Sequence, residues 1–236
     1  MSNLQPIPYA DGPTALTGQL ARPEGLPRAA VVVFPTIMNQ APNALRRLPM
    51  LADRGYLAFC ADFYGRAPAD RADAHALGTE LRKDVAAYRA RIKAAVDTVA
   101  ALPEAQGLPL AAIGYCMGGQ AALEAARMNL PLVLAASFHG ILSTDAPATE
   151  PIRPRLLVCH GDADPLVPRE QVAAFQQEMD AAGADWHLHV YSGVKHGFTD
   201  PEADSHGIEA LGYDASADRQ SWAALLGLLE EVVGEA

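Results

Sequence analysis

The chain has 236 residues, 50% of them hydrophobic, and a formal net charge of −10 at pH 7 from 28 acidic and 18 basic residues. This length allows a substantial core, so we expect one domain over residues 1–236. The negative charge, without a Lys/Arg cluster, argues against nucleic acid and anionic membranes as partners. The N-terminal sequence lacks the layout of a secretion signal, no apolar run approaches membrane-spanning length, and there are three cysteines. We therefore expect a cytoplasmic protein with reduced thiols.

Apolar, β-branched runs alternate with helical patterns along the chain. The segment 14–22 is more polar and is expected to form an antiparallel edge strand. The other predicted strands are 30–34, 56–61, 110–114, 132–138, 155–159 and 186–191. Helices are predicted over about 43–54, 81–99, 117–128 and 168–182. A final helix is predicted from the apolar residues that share one face between 222 and 233. Strands that are apolar on both sides and separated by helices predict an α/β fold with a mostly parallel, doubly wound sheet and helices on both faces.

The strand 110–114 runs into the sequence GYCMGGQ, residues 114–120, which places a thiol between glycines. A tight strand-to-helix turn with an outward-pointing side chain requires glycine at its flanks, because a Cβ there would prevent the backbone from closing. The following helix contributes a positive field that favours a thiolate. Cys116 is therefore predicted to be a nucleophile. Cys60 and Cys159 lie inside apolar strands and are predicted to be core residues.

A cysteine nucleophile needs a base and an acid on neighbouring strand-end loops. Asp162 and Asp164 follow the strand 155–159, and His196 follows the strand 186–191. The order nucleophile, acid, histidine, with about one or two strand–helix units in each gap, is that of the α/β-hydrolases. On chemical grounds alone, either Asp162 or Asp164 could be the acid.

The segments GYCMGG, GDADPLVP and KHGF, in this order, resemble the dienelactone hydrolases, which are α/β-hydrolases with a cysteine nucleophile. The resemblance extends from about Ala29 to the C-terminus. It implies that Cys116 is the nucleophile, His196 the base and Asp164 the acid, while Asp162 falls on a non-catalytic position of the family pattern. It also implies a hydrolase that needs no cofactor.

By the same resemblance, the backbone N–H groups of Met117 and Ile37 form the oxyanion hole. Two positions depart from the family. Thr36 stands in place of a glutamate that partners the resting cysteine in the family. Of the two arginines that hold the carboxylate of dienelactone, the first is matched by Arg66, and the second falls at or next to Asp200, a reversal of charge. We therefore expect a less anionic substrate than dienelactone. The predicted substrate-binding residues are Thr36, Tyr64, Arg66, Phe198 and Asp200.

Two other functions compete with a small-molecule ester or lactone hydrolase. The elbow also fits the Gly-x-Cys-x-Gly-x-Gln pattern of glutamine amidotransferases, but that class needs a His-x-Glu dipeptide, which does not occur after Cys116. A non-catalytic α/β-hydrolase-like binding or redox-sensing protein would require a disrupted triad or elbow, and neither is visible. His187 and His189 share one strand face but lack a third ligand at a suitable spacing, so no metal site is predicted.

Overall fold

The structure is a computed structural model that describes residues 4–234, so the outermost residues of the predicted domain 1–236 lie outside the described part. The strands are β1 (Gln5–Asp11), β2 (Thr14–Ala21), β3 (Ala29–Phe34), β4 (Tyr56–Cys60), β5 (Leu110–Tyr115), β6 (Leu134–Phe138), β7 (Arg155–Gly161) and β8 (Trp186–Tyr191). The α-helices are α1 (Pro42–Leu45), α2 (Arg47–Ala52), α3 (Arg71–Lys83), α4 (Val85–Ala100), α5 (Met117–Arg127), α6 (Arg169–Ala181) and α7 (Ala215–Val233). Short 3₁₀ helices cover Pro103–Ala105 and Ala203–His206.

The strands form one sheet in the order β1-β2-β4-β3-β5-β6-β7-β8. Strands β3 to β8 are mutually parallel, while β1 pairs antiparallel with β2 and β2 antiparallel with β4. The predicted α/β fold with a mostly parallel, helix-covered sheet is confirmed. The antiparallel strand expected over 14–22 exists as β2, but it is not the edge, because Gln5–Asp11 pairs along its whole length.

Helices cover both faces of the sheet, since the side chains of buried parallel strands alternate between two apolar layers. On one face, Val31 and Val33 belong to a core shared with Leu48 of α2 and Leu225 of α7. On the other face, Val32 and its neighbours pack against α4 and α5, and a further cluster joins β7 to α6. This layering holds the carboxyl ends of the parallel strands at one edge.

Two predicted helix boundaries differ from the structure. The stretch 43–54 is split into α1 and α2, and the predicted helix from about residue 81 begins at Val85, with Leu81 belonging to the separate helix α3. The break has a local cause, because the Asp84 side chain accepts hydrogen bonds from the N–H groups of Ala86 and Ala87 and thereby caps α4. Helix α3 fully buries only the small residues Ala74 and Gly78, so its inward side is a weak apolar signal in the sequence.

The chain reverses its direction of travel across the sheet between β3 and β5. Strand β4 lies on one side of β3, and β5, which follows β4 in the chain, lies on the other. The loops after β3 and β5 therefore border a crevice, which is where open α/β sheets bind ligands. Within residues 4–234, no helix has the length and apolar character needed to span a bilayer.

Candidate active site

Cys116 occupies a strained turn between β5 and α5. Its φ of 56° and ψ of −118° lie outside the regions that non-glycine residues normally adopt. The turn closes tightly, because a Cβ on Gly114 would lie 1.8 Å from the Gly118 carbonyl oxygen. A Cβ on Gly118 would lie 2.0 Å from the carbonyl oxygen of Phe34 in β3. These glycines let the start of α5 pack directly on the strand ends and present the Cys116 thiol.

Asp164, rather than Asp162, contacts His196. The buried Asp164 carboxylate places Oδ2 2.7 Å from Nδ1 of His196, while its Oδ1 accepts the Leu166 N–H at 2.9 Å. Asp162 instead forms a surface ion pair with Arg169 at 2.7 Å. The structure therefore brings Asp164 and His196 together as the sequence predicts, and gives Asp162 a different partner.

The His196 ring lines the same cavity as the Cys116 thiol, and in the described part of the chain its buried Nε2 has no hydrogen-bond partner, so this nitrogen is free to face the thiol or a substrate. Burial alone would raise the pKa of the Cys116 thiol, but the His196 charge, the Met117 N–H and the Arg82 guanidinium together lower it below its usual value. Burial alone would lower the pKa of His196, but the Cys116 thiolate and the Asp164 carboxylate raise it to about 10. Each side chain thus favours the charged form of the other, the thiolate of Cys116 and the imidazolium of His196.

The residues of both predicted oxyanion donors lie near the thiol. Met117 is the first residue of α5, and its N–H points toward the Cys116 sulfur. Ile37 belongs to the loop after β3 and lines the same cavity as Cys116. Helix α3 approaches both closely at Gly78, where an added Cβ would lie 3.2 Å from Ile37 Cγ2, from Met117 Sδ and from the hydroxyl oxygen of Tyr64.

A cavity of about 210 Å³ opens over Cys116 and His196. Much of its wall is apolar, formed by Ile37, Met38, Leu166, Ala203, Ile208, Ala210 and Leu211. The polar lining residues are Thr36, Asn43, Arg71, His75, His139, Asp200 and His206. Such a cavity fits a small, largely apolar substrate with a few polar contacts.

Thr36 and Asp200, from the predicted substrate-binding set, line this cavity. The Thr36 hydroxyl accepts the Met38 N–H at 3.1 Å and so fixes the loop after β3. The Asp200 carboxylate accepts a hydrogen bond from Asn43 at 3.1 Å and lies 3.8 Å from His206. Asp200 therefore brings a negative charge to the wall of the cavity.

The other three members of the set do not line the cavity, which corrects the sequence expectation. Arg66 is half exposed and binds Asp73 with two hydrogen bonds of 2.6 and 2.7 Å. The Tyr64 hydroxyl contacts Met117 Sδ at 3.6 Å behind the elbow, and Phe198 is fully buried against His139 and Tyr191. Arg66 therefore pairs with Asp73, seven residues later in the chain, and does not line the cavity.

Sequence reasoning missed Arg71 and His75, which helix α3 places along one side of the cavity. Their spacing of four residues puts them on one helix face. A signal was present, because Asp70 followed by Asp73 is a helix-capping pattern and the Asp70 side chain accepts the Asp73 N–H. Within the described residues 4–234, no group of three His, Cys, Asp or Glu side chains is arranged to hold a metal ion.

Comparison with known proteins identifies the family. The sequence model of the Dienelactone hydrolase family matches residues 16–233 of the chain. The chain belongs to the dienelactone hydrolase family. It is similar to the crystal structure of a dienelactone hydrolase-like promiscuous phosphotriesterase from metagenomic libraries, with 38% identity, a TM-score of 0.93 and coverage of 98% of this chain and 99% of the other.

Relatives of known sequence point the same way. A protein of Aquifex aeolicus named "Putative carboxymethylenebutenolidase" is 26% identical over 82% of this chain and 86% of its own length. An uncharacterised Caenorhabditis elegans protein is 36% identical over 60% of this chain and 91% of its own length. The protein is a dienelactone hydrolase-like hydrolase.

Proposed function

We propose that this dienelactone hydrolase family member cleaves esters, lactones or thioesters of small molecules through a Cys116–His196–Asp164 triad. The observation that carries the proposal is the geometry of His196, whose Nδ1 lies 2.7 Å from Asp164 while the ring adjoins a thiol on a strained turn. Asp164 orients the imidazole, and the imidazole holds the thiol as a thiolate. This is the division of labour of a nucleophile–histidine–acid triad.

The reaction begins with the thiolate already formed. The Cys116 sulfur attacks the substrate carbonyl carbon, and the displaced electron pair makes an oxyanion that the N–H groups of Met117 and Ile37 stabilise. When the oxyanion collapses, the bond to the leaving oxygen or sulfur breaks, and the His196 imidazolium gives that atom its proton. An acyl-cysteine and a neutral His196 remain.

Water completes the cycle. Neutral His196 takes a proton from the water that attacks the thioester carbonyl, and collapse of the second oxyanion expels the Cys116 thiolate and releases the acid product. The thiolate–imidazolium pair is then restored, with no net gain or loss of protons by the enzyme. No step requires a cofactor.

The charges of the cavity favour a neutral substrate over dienelactone. Asp200 lines the cavity, and Arg66, the expected guanidinium, is engaged by Asp73 outside it. Among residues 4–234, Arg71 is the one arginine that lines the cavity. A substrate carboxylate held by two arginines gains two charge-assisted contacts, each of about 1.5–3 kcal/mol. In this protein Asp200 stands where one of those arginines is expected, so it repels the carboxylate instead of attracting it.

Chromogenic esters and lactones of graded chain length test the proposal. We expect turnover by the wild-type protein and its loss in Cys116→Ala and His196→Gln. A neutral lactone should have a higher kcat/KM than its carboxylated analogue, and Asp200→Asn should narrow that difference. No turnover of any ester, lactone or thioester would refute the function, whereas faster turnover of the carboxylated analogue would refute only the substrate preference.

A second candidate is hydrolysis of neutral phosphotriesters, favoured by the likeness to the promiscuous phosphotriesterase that covers 98% of this chain. The Cys116 thiolate would attack phosphorus instead of carbon and expel the best leaving group, which takes the proton of His196. Water, deprotonated by His196, would then cleave the S–P bond, release the phosphodiester and restore the thiolate. A neutral triester also avoids repulsion by Asp200. A chromogenic phosphotriester added to the ester panel tests this candidate, which requires turnover that disappears in Cys116→Ala.

A further inference from the structure

His139 is a buried, strained histidine beside the candidate triad. It directly follows strand β6, is 2% exposed and has a φ of 41°. Histidine is one of the few non-glycine residues enriched in this left-handed region, but the conformation still costs free energy. The main chain is fixed on both sides, because the His139 N–H donates to the Cys159 carbonyl at 2.9 Å and a Cβ on Gly140 would lie 2.8 Å from the backbone of Gly119.

The hydrogen bonds of His139 determine its tautomer. The Cys116 N–H is shared between two acceptors, the Phe138 carbonyl oxygen at 3.0 Å and Nδ1 of His139 at 3.2 Å, so this ring nitrogen carries no proton. The proton of the neutral ring is therefore on Nε2, which lies 2.9 Å from the Thr199 hydroxyl and donates to it. Burial and the nearby His196 lower the pKa of His139 well below its usual value, which keeps the ring neutral beside an imidazolium.

The ring thereby connects two loops that carry the triad. One nitrogen gives the Cys116 N–H a second acceptor beside the Phe138 carbonyl, and the other holds Thr199, which lies three residues after His196 and is 4% exposed. The His139 ring also stacks edge-on against His196, with centroids 5.1 Å apart, and against Phe198 at 5.2 Å. In the described part of the chain, no other residue forms hydrogen bonds with both Cys116 and Thr199.

We propose that His139 is a positioning residue that keeps the Cys116 sulfur and the His196 ring at ion-pairing distance by bonding the Cys116 N–H and the Thr199 hydroxyl at once. The proposal rests on the proposed function of the same site. A misplacement of about 1 Å between reacting groups can cost on the order of 10² in rate. Because the His139 ring is neutral, it can fix these two loops without a positive charge that would repel the His196 imidazolium.

The matched pair Thr199→Val and Thr199→Ser tests one end of this connection. Valine has the shape of threonine but leaves the His139 Nε2–H without an acceptor, whereas serine retains the hydroxyl. We expect Thr199→Val to lower kcat about tenfold, the equivalent of one lost buried hydrogen bond, with KM within about twofold. Thr199→Ser should restore most of the loss.

The pair His139→Asn and His139→Ala tests the other end. Asparagine tolerates a positive φ and can accept the Cys116 N–H with its side-chain oxygen, whereas alanine leaves this N–H with the Phe138 carbonyl alone and removes the connection to Thr199. We expect the kcat of His139→Asn to exceed that of His139→Ala. Circular dichroism and thermal melting show whether each variant is folded, and the threonine pair decides the matter if the histidine variants do not fold.

The pH dependence of Cys116 alkylation by iodoacetamide separates positioning from mere packing. The groups facing the thiol are His196, Arg82 of α3, and the hydroxyls of Tyr64 and Tyr88, none of which is changed in these variants. A looser Cys116–His196 pair should move the alkylation midpoint to higher pH in Thr199→Val and His139→Ala. A lower melting temperature with an unchanged midpoint and kcat would overturn the proposal, as would Thr199→Ser behaving like Thr199→Val.

Alkylation needs no substrate, so this experiment distinguishes two kinds of failure. If wild-type Cys116 is alkylated at unusually low pH and Thr199→Val shifts the midpoint, His139 positions the pair even when no ester is cleaved. In that outcome the proposed function fails and the positioning role stands. If esters are cleaved but the midpoint does not shift, the function stands and the positioning role fails.

Discussion

Asp162 and Asp164 both follow β7, two residues apart, but they have different surroundings. Asp164 is buried and contacts His196, whereas Asp162 reaches the surface and binds Arg169. The Arg169 guanidinium beside Asp162 holds the pKa of that carboxyl below its usual value. Asp164 can therefore orient a catalytic imidazole, whereas Asp162 binds the first residue of α6.

Asn substitutions at these two positions should have very different effects. Removal of the orienting carboxylate of a triad costs on the order of 10⁴ in kcat in other enzymes, so Asp164→Asn should lower kcat by about that factor. Asp162→Asn removes only an exposed ion pair and should change kcat by less than about threefold. Steady-state kinetics of the two isosteric variants measure this ratio, and the opposite ranking would reassign the acid.

The reactivity of the Cys116 thiol depends on the charge of His196. Because the pKa of Cys116 is lowered, its thiolate persists as the pH falls until that lowered pKa is reached. Replacing His196 by glutamine removes the positive charge but leaves the burial that raises the pKa. Once the pKa lies above the pH of the measurement, each further unit of increase lowers the thiolate fraction about tenfold.

Alkylation by iodoacetamide at pH 7 should therefore slow by at least about tenfold in His196→Gln, with the midpoint moved to higher pH. The two other thiols are internal controls: burial raises the pKa of Cys60 and raises that of Cys159 to about 12, so neither should react in the folded protein. Peptide mapping after alkylation reports all three. An unchanged rate at Cys116 in His196→Gln would show that the histidine does not activate the thiol.

At the scale of elements, the strands could be predicted and helix α3 could not. Fully buried strands such as β3 and β5 are continuous apolar runs, which mark them in the sequence. Helix α3 borders the cavity and is polar on average, and the two residues that it buries, Ala74 and Gly78, are small, so its inward side gives only a weak signal in the sequence. Its contribution depends on tertiary contacts, above all the close approach of Gly78 to Ile37 and Met117, that no local pattern shows.

Gly78→Ala and Gly227→Ala form a matched test of that approach. Both glycines lie inside helices, where alanine is favoured by about 1 kcal/mol. A Cβ on Gly227 meets nothing within 4 Å, so Gly227→Ala should raise the melting temperature by about 2 °C without a change in kcat.

Gly78→Ala, unlike Gly227→Ala, should impair catalysis. Its Cβ would lie 3.2 Å from three atoms around the oxyanion donors, which must then move. We expect a several-fold lower kcat and little or no thermal stabilisation, measured by kinetics and melting on both variants. A Gly78→Ala variant that matched Gly227→Ala in both measurements would show that α3 adapts without disturbing the site.

At the scale of the whole molecule, the candidate triad could be predicted from the sequence because the carboxyl ends of parallel strands converge. Cys116, Asp164 and His196 each follow a parallel strand, so their order along the chain predicts that they lie at one edge of the sheet, while the choice of Asp164 over Asp162 needed the family resemblance. The lining of the cavity could not be predicted in the same way. Arg66 and Arg71 lie five residues apart, and only packing decides that Asp73 engages the first and that the second lines the cavity.

The central claim is that Cys116 carries the acyl group during turnover, and rapid acid quenching followed by mass spectrometry tests it most directly. Mixing the protein with a chromogenic ester should produce a burst of the leaving group and a mass increase equal to the acyl group, located on the peptide that contains Cys116. The adduct should disappear as substrate is consumed and should be absent from Cys116→Ala. Continued hydrolysis by Cys116→Ala, or an acyl group found on another residue, would contradict the account.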